Sequence, residues 1–80
     1  MKINILAFGI AKEIFNASFI EVELPDVAFV SDLKTVLANN YPQLRKIPSY
    51  LFAINNEYAS ENQSLYASDE VALIPPVSGG

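Results

Sequence analysis

Eighty residues, 51% of them hydrophobic, suffice for one small core that hides about 60% of the extended-chain surface. Nine acidic against five scattered basic residues leave a net charge of −4, which excludes the basic footprint that phosphate-backbone binding requires. With neither Cys nor His, disulfides, thiolate metal sites and a persulfide on this chain are excluded, and so is the usual neutral-pH proton shuttle.

In chain order, Lys2–Phe8 reads as a strand with Ile3, Ile5 and Ala7 on one face and Leu6 and Phe8 on the other, a second face too apolar to be simply wet. Gly9 ends it, and Ile10–Phe15 forms one or two helical turns in which Ile10 and Ile14 align. The N-terminal apolar stretch is broken by Asn4 and followed at once by Lys12-Glu13, which argues against a cleaved leader, and no run approaches the ~20 apolar residues of a membrane span. Phe19–Leu24 alternates, with Ile20, Val22 and Leu24 inward and Glu21 and Glu23 outward; Pro25-Asp26 is a turn.

Val30–Asn40 is the clearest helix, with Val30, Leu33, Val36 and Leu37 as its buried stripe. Ser31 or a residue just before it is the expected cap, and Asp32 suits the positive end of the dipole. Asn39-Asn40 and Tyr41-Pro42 stop the helix, and Pro42 opens a short turn that buries Leu44 and exposes Arg45 and Lys46. Tyr50–Ile54 is a strand, Asn55-Asn56 a hairpin turn, and Glu57–Ala59 a short edge strand. Ser60–Glu70 is a polar crossover pinned by Leu65. A final apolar strand begins near Val71, and its pairing must end near Ile74 because Pro75-Pro76 cannot sit inside a central ladder.

This order predicts an α+β fold: a β-grasp, in which a mixed sheet wraps on one main helix. The apolar strands at the two ends of the chain suit parallel neighbours at the sheet centre. A ferredoxin-like arrangement is disfavoured because Ser60–Glu70 makes a poor second helix. The acidic side chains Glu57, Glu61, Asp69 and Glu70 lack the spacing of an oxygen-ligand loop and read as solvated charges, and Lys12, Arg45 and Lys46 read as surface residues. Ser31 has no base at a recognisable spacing and reads as a cap instead of a nucleophile.

The chain closes on Gly79-Gly80. Each glycine lacks a Cβ and can pass through a channel that other residues would block, which suits delivery of a terminal carboxyl carbon into a partner's active site. Five residues from Pro76 onward reach roughly 16 Å when extended. Leu73 and Ile74 are adjacent, so they cannot both point at the helix; one of them, with Phe8, belongs to an exposed apolar patch suited to docking.

The run Asp69–Gly80, DEVALIPPVSGG, preceded by Ala53-Ile54-Asn55-Asn56, resembles the small subunit of molybdopterin synthase, the MoaD family of sulfur carriers. Leu6-Ala7-Phe8-Gly9 with Ala11-Lys12-Glu13 is similar to that family's first strand and following turn, where an Arg commonly replaces Lys12. Aromatic residues often stand where this chain has Leu73 and Ile74.

The resemblance implies one ubiquitin-like β-grasp domain over residues 1–80, with an exposed tail at 76–80 and a cytoplasmic location. It implies that the Gly80 carboxylate becomes a thiocarboxylate, with Gly79 giving access to it. A MoeB-like enzyme would adenylate Gly80 with ATP and Mg²⁺, a sulfur donor protein would replace AMP, and a MoaE-like large subunit would use the sulfur, in a heterotetramer, to convert cyclic pyranopterin monophosphate to molybdopterin. The chain itself would bind no cofactor or metal, and the catalytic residues would stand on its partners. Phe8, Leu73, Ile74, Pro75, Pro76, Val77 and Ser78 are the expected partner contacts. A thiamine-pathway carrier, a tRNA-thiolation carrier and a non-catalytic β-grasp interaction module remain alternatives, since all share the fold.

Overall fold

Period-two alternation builds the first strand, β1 (Lys2–Ala7), which buries Ile3, Ile5 and Ala7 and leaves Lys2, Asn4 and Leu6 exposed. The computed structural model describes residues 1–47 and 49–75. The expectations for Pro76, Val77, Ser78, Gly79 and Gly80 therefore lie outside the described residues.

After Gly9, the short helix α1 (Ile10–Phe15) buries Ala11 and Phe15. This corrects the expected register: Ile10 is exposed and Ile14 only partly covered. Gly9, at φ 55° and ψ −133°, sets the rotational start of the helix, and the large Phe15 ring takes the inward position, 4.6 Å from the ring of Tyr41. β2 (Phe19–Glu23) then returns antiparallel to β1, pairing Ile5 with Ile20 and Ile3 with Val22.

A two-residue strand, β3 (Ala28–Phe29), leads into the main helix α2 (Val30–Asn40). Val30, Leu33 and Leu37 of α2 are buried, and Val36 packs at the edge of the same cluster. The expected Ser31 cap is not what satisfies the helix start. The Val30 and Ser31 N–H groups donate to the carbonyls of Gln63 and Glu61, each at 3.0 Å, and the Phe29 N–H donates to Asp32 Oδ2 at 2.8 Å. The orphan donors of a helix N-terminus are thus met by another chain segment and by a carboxylate at its positive end. A 3₁₀ turn (Pro42–Lys46) follows and buries Leu44 completely.

β4 (Leu51–Ile54) and β5 (Glu57–Tyr58) form a hairpin whose two turn residues, Asn55 and Asn56, have φ of 53° and 71°. That left-handed pair is what a tight hairpin twisting with its strands requires. The crossover is pinned by Leu65 as expected, but Ser64–Leu65 is also a strand, β6, paired antiparallel with β3. The last strand, β7 (Val71–Ile74), lies between β1 and β4, parallel to the first and antiparallel to the second.

The five-stranded order β2-β1-β7-β4-β5, with the two chain-end strands parallel at its middle, packs one face on α2. This is a ubiquitin-like β-grasp. Among the described residues, no helix is long and apolar enough to cross a membrane.

Candidate functional site

The sheet has two faces, and strand register assigns every residue to one of them. On the inner face Ile5 is paired with Val71, Ala7 with Leu73 and Phe52 with Leu73, all buried. On the outer face the same ladders place Leu6 beside Ala72 and Phe19, and Leu51 beside Ile74. Tyr58 stands opposite Ala53 at the β5 edge.

The pair left open by the sequence is thereby divided. Leu73 is 0% exposed and belongs to the core, which removes it from the expected contact residues. The reason is the alternation of β7, whose burial pattern puts Val71 and Leu73 inward and leaves Ala72 and Ile74 on the outer face. Pro75, expected as a contact residue, is also buried, and packs beside Gly9. Phe8 is exposed near Ile74; the two line a shallow depression of about 280 Å³ together with Leu6, Ala53, Tyr58 and Ala72.

Phe19, Leu6, Phe8, Leu51 and Tyr58 are all substantially exposed, so the outer face carries a continuous run of large apolar side chains. Such a surface marks an interaction site more often than free solvent exposure. Phe19, Leu51 and Tyr58 were not among the sequence-derived candidates. The one available signal was the apolar second face of β1, and it could not say which strands adjoin that face. Glu21 and Glu70 border the patch; Lys2 Nζ lies 3.9 Å from Glu21 Oε1.

The approach to β7 is braced by polar groups. Asn55 Nδ2 donates to Asp69 Oδ1 at 3.0 Å, the Glu70 N–H donates to Asn55 Oδ1 at 3.0 Å, and the Asn55 N–H donates to the Glu70 carbonyl at 2.8 Å. Asp69 Oδ2 also accepts the Tyr66 N–H at 2.8 Å. Asp69, half-buried, thus accepts hydrogen bonds at both carboxylate oxygens in addition to facing solvent. Glu61, exposed as expected, pairs with Lys34 Nζ at 3.0 Å. The Lys34 ammonium sits 5.5 Å from the centre of the Tyr50 ring, and burial raises the Tyr50 phenol above its ordinary value, an effect that Lys34 opposes and Glu61 reinforces.

Among the described residues, no group of three or more His, Cys, Asp or Glu is placed to hold a metal ion. Neither Ser31 nor any other hydroxyl there is presented with a His base, since the chain has none. The arrangement offers two things: an apolar face for docking, and beside it a central strand that hands the chain to residues 76–80.

Comparison with known proteins agrees with this geometry. The ThiS family matches residues 5–80. The molybdopterin synthase sulfur carrier subunit of Dictyostelium discoideum is 38% identical over 81 residues, spanning 96% of this chain and 94% of that protein. Its namesake in Chlamydomonas reinhardtii is 35% identical over 83 residues and all of both chains. Among solved structures, SAMP1 from Haloferax volcanii has a TM-score of 0.85 at 26% identity, covering both chains entirely. A chain in the complex of subunits 1 and 2 of the molybdopterin-converting factor from Helicobacter pylori shares the fold, with a TM-score of 0.70 at 21% identity over the whole of both chains. The chain belongs to the MoaD/ThiS family of ubiquitin-like sulfur-carrier proteins.

Proposed function

We propose that this protein is the sulfur-carrying small subunit of a molybdopterin synthase and carries sulfur as a thiocarboxylate on Gly80. The observation that carries this reading is the end-to-end likeness to sulfur carrier subunits of that enzyme, 38% and 35% identical. The chemistry of the residues supports it. A carboxylate is a poor acylating group because its leaving group is oxide. Attack of the Gly80 carboxylate on the α-phosphorus of ATP expels pyrophosphate and gives an acyl adenylate, whose leaving group is a stabilised phosphate. Displacement of AMP by hydrosulfide, which then gives up its proton, leaves the terminal –C(O)S⁻; a persulfide donor would form an acyl disulfide instead, from which a thiol releases –C(O)S⁻ as it forms a disulfide with the donor.

The adenylating enzyme, similar to MoeB, supplies ATP, Mg²⁺ and the cationic groups; this chain supplies only the carboxyl carbon and the surface that brings it there. The transferable sulfur goes to a MoaE-like large subunit, which holds the pterin precursor, in a heterotetrameric synthase. A solved complex of the two subunits of the Helicobacter pylori converting factor, one of which shares this fold, supports such a partner. The outer apolar face, next to the end of β7, is the surface suited to it.

The test is intact mass after incubation with the activating enzyme, ATP and a sulfur donor. Wild type gains about 16 Da for oxygen-to-sulfur exchange, whereas a chain lacking Gly80, or extended by one residue beyond it, gains nothing because the reactive carbon is displaced by several ångströms. Unfolding stability stays nearly the same in all three. No gain by wild type, or an equal gain by the extended chain, overturns the carrier mechanism. Activity in thiazole formation or tRNA thiolation, with none in molybdopterin formation, would reassign the pathway.

A further inference from the structure

Gly9 and Pro75 meet at the end of the sheet where the chain passes on to residue 76. Gly9 has φ 55° and ψ −133°, a combination that L residues rarely adopt and glycine takes without steric cost. A Cβ added to Gly9 would lie 3.3 Å from Pro75 Cγ, tight enough that the ring must move by a few tenths of an ångström. Pro75 is buried although it stands one residue beyond Ile74, the last paired residue of β7. Lacking an N–H, Pro75 cannot donate to the ladder; its ring, which packs beside Gly9, keeps φ near −65°.

We propose that Gly9 is a positioning residue for the carrier's acyl chemistry: its bare backbone is the seat on which the Pro75 ring rests, and that seat fixes the point and direction from which residues 76–80 depart. The proposal rests on the thiocarboxylate reading above. A partner can act on the Gly80 carbon only when it lies within about 3–3.5 Å of the attacking atom, and a misplacement of 1 Å costs on the order of a hundredfold in rate. A displaced Pro75 shifts the attachment point of residues 76–80 relative to the docking face formed by Leu6, Leu51 and Ile74, which is left in place. The signature is therefore a loss in kcat at nearly constant KM.

Four chains decide it: wild type, Gly9→Ala, Pro75→Ala, and a synthetic chain with D-alanine at position 9. For a D residue, φ 55° and ψ −133° mirror the favourable polyproline region, and the methyl replaces the other Cα hydrogen, leaving the side toward Pro75 bare. For thiocarboxylate formation by the activating enzyme, Gly9→Ala lowers kcat by about fourfold with KM within about twofold. Pro75→Ala, which empties the seat without touching the Gly9 backbone, shows the same split, and the D-alanine chain behaves as wild type. In the free proteins, the amide resonances of Val77–Gly80 shift in Gly9→Ala and Pro75→Ala and stay put in the D-alanine chain. If Gly9→Ala fails to fold, the other two variants carry the decision. Equal kcat in all chains, equal loss in the L- and D-alanine chains, or a rise in KM that accounts for the loss overturns the positioning role. A wild type that gains no sulfur defeats the carrier reading and this proposal with it, an outcome distinct from an active wild type matched by Gly9→Ala.

Discussion

Asn55 shows how much one residue can hold and how little of that is local. Its φ of 53° is a conformation that asparagine tolerates better than most residues, and the Asn-Asn pair announced the turn in the sequence. Its two side-chain hydrogen bonds were not legible, because Asp69 and Glu70 lie 14 and 15 residues away and only the β4–β7 ladder brings them alongside. Asn55→Ala removes both bonds and strains the turn, and should cost about 1–3 kcal/mol by denaturant unfolding. Asn55→Gly, which relieves the backbone, should lose less; equal losses would show that the side-chain bonds alone matter. Tyr50 offers a second check at this scale. Burial favours its neutral phenol, so its folded-state pKa lies above the unfolded value of about 10. Its stabilising contribution is therefore complete below that pH and is lost as pH rises through the folded-state value. Tyr50→Phe should flatten the alkaline decline in stability and remove the latest-titrating part of the phenolate absorbance change. A wild-type profile identical to that of Tyr50→Phe would refute the burial effect.

Elements were legible in proportion to their length and periodicity. The helix α2 carries a full 3.6-residue stripe over eleven residues, so its span follows from the sequence alone. Leu33 sits at the middle of that stripe with no exposed surface, and Leu33→Ala should destabilise the protein by about 2–5 kcal/mol, the cost of a buried leucine truncation that leaves a cavity. Thermal unfolding measures it; a loss below about 1 kcal/mol would mean that the helix–sheet interface collapses to fill the gap. The two-residue strands β3 and β6 were not legible, since two residues carry no period and, unlike the equally short β5 after the Asn55-Asn56 turn, no hairpin signal flanks them. Their pairing arises where the Val30 and Ser31 N–H groups need acceptors, which the crossover carbonyls of Gln63 and Glu61 provide. The register of α1 also escaped the pattern, because in six residues Ile10, Ala11, Ile14 and Phe15 offer two competing apolar stripes. The choice between them falls to packing: Phe15 meets Tyr41, a contact across 26 positions of sequence.

At the scale of the whole molecule, the two apolar chain-end strands predicted the parallel β1–β7 pair, and that pair determines which residues share the outer face. What the sequence could not resolve was the phase of β7, because Val71, Ala72, Leu73 and Ile74 are all apolar and each face tolerates them. Cross-strand partners resolve it: Leu73 lies between Ala7 and Phe52 on the inner face, while Ile74 stands beside Leu51 on the outer one. The same substitution at these neighbouring positions should therefore have opposite consequences. Leu73→Asp places a carboxylate in the core with no charge to pair it, a cost of several kcal/mol that a domain with roughly 5–15 kcal/mol of total stability tolerates poorly, so the chain should unfold or melt far earlier. Ile74→Asp should leave the circular dichroism spectrum intact and weaken binding to the large subunit by more than about 1.4 kcal/mol, a tenfold change, because docking would desolvate the new charge. Calorimetric titration of the folded Ile74→Asp protein measures this directly. Unchanged affinity would move the interface off the outer face, and a folded Leu73→Asp chain would contradict the phase assigned to β7.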